Sequence, residues 1–219
     1  LRSMLTMLGI VIGIASVILL TSLGQGTREY ILAEFTQFGT NILQISPGRT
    51  TTGGIPTPMG TTVRRLTIDD AEAIRRVPGV DRVVPLAFGQ ARVEAAERGR
   101  SVFIYGVTSD VPALWKFGVA QGQFLPPGDP RRGGPVTVLG PKLAHEIFAD
   151  ANPLGTHVRI GGRRFQVIGI MAPKGQMLGF DIDDAAYIPV SAARELFNQD
   201  GLVEIDVMFS RVAESGAAV

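Results

Sequence analysis

The chain has no cysteine, which excludes a disulfide scaffold, a cysteine nucleophile and thiolate-ligated zinc or iron–sulfur centres. Histidine is nearly as scarce. His145 and His157 are the two present, expected on a helix and a strand, and neither has a partner at metal-ligand spacing. A surplus of charge of one sign is also missing: 21 Lys and Arg against 20 Asp and Glu leave a formal net charge of +1. A nucleic-acid partner would ask for a basic surplus, so none is expected. There is no Gly-x-x-x-x-Gly-Lys-Ser/Thr run to cradle a nucleotide phosphate, and no Gly-x-Ser-x-Gly. Gly24-x-Gly26 lacks the third glycine of a dinucleotide loop. Asp181, Asp183 and Asp184 cluster, but a calcium loop counted from Asp181 needs a glycine at its sixth position and a glutamate at its twelfth. Ala186 and Ala192 stand there, so the three acids read as a solvated turn. No catalytic, cofactor-binding or metal residue is expected in this chain.

One local absence is the most informative. From Ser3 to Gly26 no side chain carries a charge, and Leu5 to Leu20 is almost wholly apolar. About 20 helical residues cross a hydrocarbon core of roughly 30 Å. A soluble helix of that length would show a polar face. The length favours a retained membrane anchor over a cleaved signal peptide, whose apolar region is shorter. Ser22 and Gly24 are the small residues that a cleavage reading would use. Arg2, the one basic residue on the near side, places that end in the cytoplasm by the positive-inside rule. Gly9 and Gly13 form a Gly-x-x-x-Gly pair with Ser16 a turn further on, a pattern that lets a second helix approach closely in lipid. The plainer reading is that glycine is common in membrane helices.

Beyond Gly26, Ile31, Phe35 and Phe38 recur at helical spacing among Glu29, Glu34 and Gln37, so the helix is expected to continue as an amphipathic stalk. A helix over 3–38 would be ~54 Å long. Gly24 and Gly26 are the places where it could bend. The domains expected are therefore a membrane helix and stalk over 1–38 and a soluble domain over 39–219 that continues past the last residue.

The soluble part reads as α+β. Short strands are expected at Ile42–Ser46, Val80–Val84, 86–96, 101–107, Val136–Leu139, 156–160, 163–171, Ala186–Val190 and Val203–Phe209. Glu97-Arg98-Gly99-Arg100 and Gly161-Gly162 read as hairpin turns. Thr67 reads as a helix N-cap ahead of Asp69 and Asp70, and Pro141 as the first residue of a helix ending near Phe148. A further helix is expected at Ala192–Phe197. Arg49–Thr62, rich in Gly, Thr and Pro, and 126–135 read as loops. Trp115-Lys116-Phe117 and Gly175–Phe180 set apolar groups in flexible surroundings, where they either face a partner or form local core.

Several of these stretches together resemble the MacB-like permeases of ABC transporters, in the FtsX-like permease superfamily. The opening Leu1–Ile18 resembles their first transmembrane helix, and Phe38-Gly39-Thr40-Asn41 to Pro47-Gly48 resembles the entry to their periplasmic core domain. A further match includes Val138-Leu139-Gly140, Asn152-Pro153-Leu154-Gly155, Ile160-Gly161-Gly162 and Phe165–Gly169. Asp183-Asp184 through Ile188-Pro189 resembles the closing segment, with Ser191 where a threonine is expected. The resemblance implies a mixed-sheet extracytoplasmic domain with a porter-like part and a β-rich lobe, carried on a single transmembrane helix extended as a stalk. It also implies a bacterial cytoplasmic membrane location, with residues after about 26 outside. The implied partners are an ABC ATPase holding ATP and magnesium, a second permease copy, a periplasmic adaptor protein and the bilayer. The implied work is mechanotransmission for efflux of a drug, peptide or lipoprotein. A membrane-tethered sensor module and a permease-like regulator of a cell-wall hydrolase remain as alternatives.

Overall fold

The computed structural model describes residues 2–38, 41–47, 65–95, 98–149, 151–177 and 180–210, with the side chains of 2, 4–6, 29–38, 176, 177 and 180 outside the description. The loop expected at Arg49–Thr62 lies outside the described residues. Two units result, Leu1–Thr40 and Asn41–Val219.

The first unit is one helix, α1, Arg2–Phe38. Gly24 and Gly26 do not end it. Three hydroxyls along the helix are satisfied locally. Ser16 Oγ donates to the Ile12 carbonyl at 2.8 Å, Thr21 Oγ1 to Val17 at 2.9 Å and Thr27 Oγ1 to Leu23 at 2.8 Å. That arrangement gives these three hydroxyls a partner within the helix, as an apolar surrounding requires.

The second unit starts with β1, Ile42–Ile45, and then α2, Ile68–Arg75. Thr67 caps α2 as expected. Its hydroxyl accepts from Asp70 N, and the Asp70 carboxylate accepts from Thr67 N, a reciprocal capping box. There follow β2, Val80–Ala95; β3, Arg98–Val107; a short α3, Val111–Leu114; β4, Val119–Gly122; and β5, Val136–Leu139. Then come α4, Pro141–Phe148; β6, His157–Ile160; β7, Arg163–Met171; β8, Gln176–Met177; and β9, Phe180–Asp181. The unit closes with β10, Ala185–Pro189; α5, Val190–Leu196; and β11, Glu204–Phe209. Both Gly161 and Gly162 have positive φ, 55° and 84°, as a two-residue hairpin between β6 and β7 requires.

The long strand β2 organises the sheet. Its first half pairs antiparallel with β11, which carries β1 on its other edge. Its second half pairs with β3 from Ala87↔Gly106 onward. Pro85, with no N–H to give, falls just before that second pairing starts, where the loss of a donor is tolerated. From β3 the order runs β10, β5, β7, and then β6, which returns to β2 at Val93↔Ile160. Six strands thus pair in a closed ring, and β4 adds to the far end of β7.

Strand alternation distributes side chains between two cores. On β10, Ala186 and Ile188 join one core, while Ala185 and Tyr187 join the other; on β5, Leu139 and Val138 divide the same way. These strands are buried on both faces, which explains their unbroken apolar runs. Leu143, Ala144 and Ile147 turn one face of α4 into the first core.

One expectation needs correction. The turn between β2 and β3 is not at 97–100: the register Ala95↔Arg98 puts Arg98, Gly99 and Arg100 inside β3. A Cβ at Gly99 would meet the guanidinium of the exposed Arg92 side chain, which is free to swing aside, so Gly99 here is an ordinary strand residue and not a turn residue. The extended run that begins at Val80–Val84 continues without a break through Ala95 as one strand.

Candidate functional site

Gly9, Gly13 and Ser16 all lie on the exposed surface of α1. A Cβ at Gly9 or Gly13 would meet nothing within 4 Å. Met7–Arg28, 22 residues, contains an 18-residue window with a mean hydropathy of 2.3, is long and apolar enough to cross a membrane, and has none of that window buried. The backbone of α1 continues through Ile31, Phe35 and Phe38, whose side chains lie outside the described residues.

In the second unit the two rings of Trp115-Lys116-Phe117 are core, while Lys116 is exposed. Trp115 is 7% exposed and Phe117 8%, packed ring to ring at 5.6 Å. Tyr105 stacks on Tyr187 at 5.6 Å and meets Trp115 edge-on. Lys174 Nζ lies 4.4 Å over the Phe117 ring and donates to the Trp115 carbonyl at 2.6 Å. Burial first, then the nearby Lys116, lowers the Lys174 pKa. The side chains of Gln176, Met177 and Phe180 lie outside the described residues.

The three clustered aspartates each have a partner. Asp181 takes Lys142 Nζ at 2.6 Å, a bond that lowers the Asp181 pKa and raises that of Lys142. Asp183 accepts the backbone N–H groups of Lys174 and Gly175, both at 2.9 Å. Asp184 is held by Arg100 through Nε at 2.9 Å and Nη2 at 2.7 Å, which raises the Arg100 pKa. Asp181 is thus tied to α4, Asp184 to β3 and Asp183 to the backbone of 174–175, so the partly exposed bend at 182–184 is held by ion pairs and backbone bonds as well as solvated. His145 sits on α4 and His157 on β6. Among the described residues no three His, Asp or Glu side chains converge as a metal site would require.

The most unusual polar group was not singled out in the sequence. Asp206 on β11 is 1% exposed, and its Oδ2 accepts from Trp115 Nε1 at 2.7 Å. Burial raises its pKa, opposed by bonds from Glu204, Trp115 and Gln44. Glu204, two residues earlier, is pushed up to about 8 by burial and by its hydrogen bond and charge interaction with Asp206. The signal that could have found the pair is Glu204-Ile205-Asp206-Val207, which puts two acids on one face of a strand that is otherwise apolar.

Among the described residues one helix of spanning length, uncovered along its apolar window, is joined in sequence to a mixed α/β domain, the plan of a membrane-tethered domain protein. The chain belongs to the MacB-like periplasmic core domain family, whose model matches residues 3–219. It is 36% identical over 197 residues to the pyoverdine export ATP-binding/permease protein PvdT of Pseudomonas entomophila, covering 88% of this chain and 29% of that protein. It is 34% identical to the macrolide export ATP-binding/permease protein MacB of Nitrosomonas europaea, covering 88% of this chain and 28% of that protein. The chain therefore spans less than a third of the curated relatives it matches. Its fold is like that of the periplasmic region of MacB from Actinobacillus actinomycetemcomitans, with a TM-score of 0.68 and 22% identity over 86% of this chain and 82% of that one. The extracellular domain of YknZ, a noncanonic ABC-type transporter from Gram-positive bacteria, matches with a TM-score of 0.58 and 23% identity over 67% and 74%. At these identities the likeness is one of fold.

Proposed function

We propose that this chain supplies a membrane helix and the extracytoplasmic core domain of an ABC-type export permease. The observation that carries the reading is the family match across 3–219, joined to relatives named as export ATP-binding/permease proteins. In this reading α1 anchors the chain in the bacterial cytoplasmic membrane, and residues after about 26 stand outside. ATP and magnesium belong to a partner ATPase, and the chain itself performs no catalysis. Gly9, Gly13 and Ser16 meet another helix, of the same permease or of a second copy, and the Ile31–Phe35–Phe38 stretch carries movement to the domain. A periplasmic adaptor receives that movement. The relatives are named for pyoverdine and for macrolides, two different cargoes. For this chain the proposed cargo class is a drug, peptide or lipoprotein.

Fractionation and protease shaving of intact spheroplasts test the topology. The expected result is a membrane-bound chain whose 41–210 region is cleaved from outside. Recovery in the soluble fraction, or protection of that region, would sink the reading. Efflux assays of the complete transporter against an ATPase-dead control test the export step.

A further inference from the structure

Glu204 and Asp206 are two residues apart on β11, so both side chains leave the same face of the strand. Opposite them stand Gln44 of β1 and Val84 and Leu86 of β2, and Ser46 Oγ approaches Glu204 Oε2 at 3.4 Å. Trp115 closes the face from above, bonded to Asp206 Oδ2. The other oxygen, Asp206 Oδ1, is buried and receives no conventional donor among the described residues. A buried carboxylate oxygen without a donor loses its hydration with nothing in return. A carboxyl group donates only when it is protonated, and Glu204, on the same face, is the neighbouring group that can gain such a hydrogen.

The surrounding charges are engaged elsewhere. Arg82 on β2 reaches Asp110 at 3.0 Å, and Arg75 reaches the same carboxylate at 3.1 Å. Lys174 Nζ is taken by the carbonyls of Trp115 and Lys116. Tyr105, edge-on to Trp115, is neutral, its pKa pushed up to about 12 by burial. No cation acts on either carboxyl group among the described residues. Two carboxylates sharing a desolvated site without a cation do not both ionise readily.

We propose that Glu204 and Asp206 form a proton-binding site, in which the Glu204 carboxyl donates its proton to Asp206 Oδ1 and pins β11 to the Trp115 core, and that release of this proton to water loosens the β1–β11 pairing. β1 is the first strand after α1 in the chain. The domain's hold on the segment that follows the membrane helix is therefore set by the acidity of the surrounding solution.

Trp115 is the single tryptophan of the chain, so its emission reads the site directly. The full chain in detergent micelles is titrated by fluorescence, and amide exchange is followed at β1. Wild type should show one transition centred near about 8. The opening equilibrium of β1 should rise by about tenfold per pH unit below that midpoint and level off above it. Glu204→Gln keeps a donor for Oδ1 and removes the titration, so its emission should hold the low-pH form throughout. A flat wild-type profile between about pH 6 and about pH 9 overturns the proposal, as does an unchanged transition in Glu204→Gln. Should that variant not fold by circular dichroism, difference infrared on wild type decides. A protonated, buried carboxylic acid at neutral pH supports the site, and its absence overturns it.

Discussion

Gly106 on β3 and Ala193 on α5 are packed so closely that a methyl group added at Gly106 would overlap the Ala193 methyl and press on the Ala87 carbonyl. The contact seats α5 against β3 where β3 lies between β2 and β10. Gly106 has no positive φ and is needed for space alone. Gly106→Ala should destabilise the domain by about 1–3 kcal/mol, the usual cost of overpacking a core. Thermal or urea unfolding checks it, and an unchanged midpoint would mean that α5 can move away at little cost.

The α2 cap gives a second measurable quantity. Thr67→Ala removes the acceptor for Asp70 N and should cost about 1 kcal/mol, while Thr67→Ser should keep most of the wild-type stability. Comparing the two melting curves separates the hydroxyl from the methyl group.

Stability should also depend on pH in a defined direction. The folded chain holds the Glu204 proton up to about 8, far above the ordinary carboxylate value of 4.5. A folded pKa raised above the unfolded one means that more protons are bound in the folded state between those two values. The stabilisation is full below the unfolded value and is lost as pH rises through the folded one. The burial-raised pKa of Asp206 acts with the same sign. The melting temperature should therefore fall by several degrees from mildly acidic to mildly alkaline buffer, and Glu204→Gln should flatten the slope. A melting temperature that rises over that range contradicts the assignment.

In the proposed transporter, the double change Gly9→Leu and Gly13→Leu should reduce export while leaving the 41–210 domain folded. The glycine surface is uncovered in this chain, and bulky side chains would hold a second helix away. Undiminished export by a correctly inserted double mutant would remove helix packing from the account.

Much of the second unit is readable in the sequence because its signals are local. Pro141 at the first turn of α4, Thr67 with Asp70 at the start of α2, and Gly161-Gly162 between β6 and β7 each act within a few residues. The β2–β3 turn was misplaced for the converse reason. Arg98-Gly99-Arg100 has the composition of a turn, but cross-strand pairing with β2 sets the register and places all three inside β3. The Trp115–Asp206 bond joins residues 91 apart, a separation over which no periodicity carries information.

By itself the sequence determined the apolar run of spanning length and the family. An uncharged run of spanning length is a property of composition, and the stretches that mark the periplasmic core domain are contiguous. Tertiary structure alone decided which polar groups are buried together. The acids at 181–184 find Lys142, Arg100 and the backbone of 174–175, whereas Glu204 and Asp206 find each other and an indole. Both sets look alike as sequence. They differ because desolvation depends on what the fold stacks above a strand face, and that is fixed only when distant segments pack.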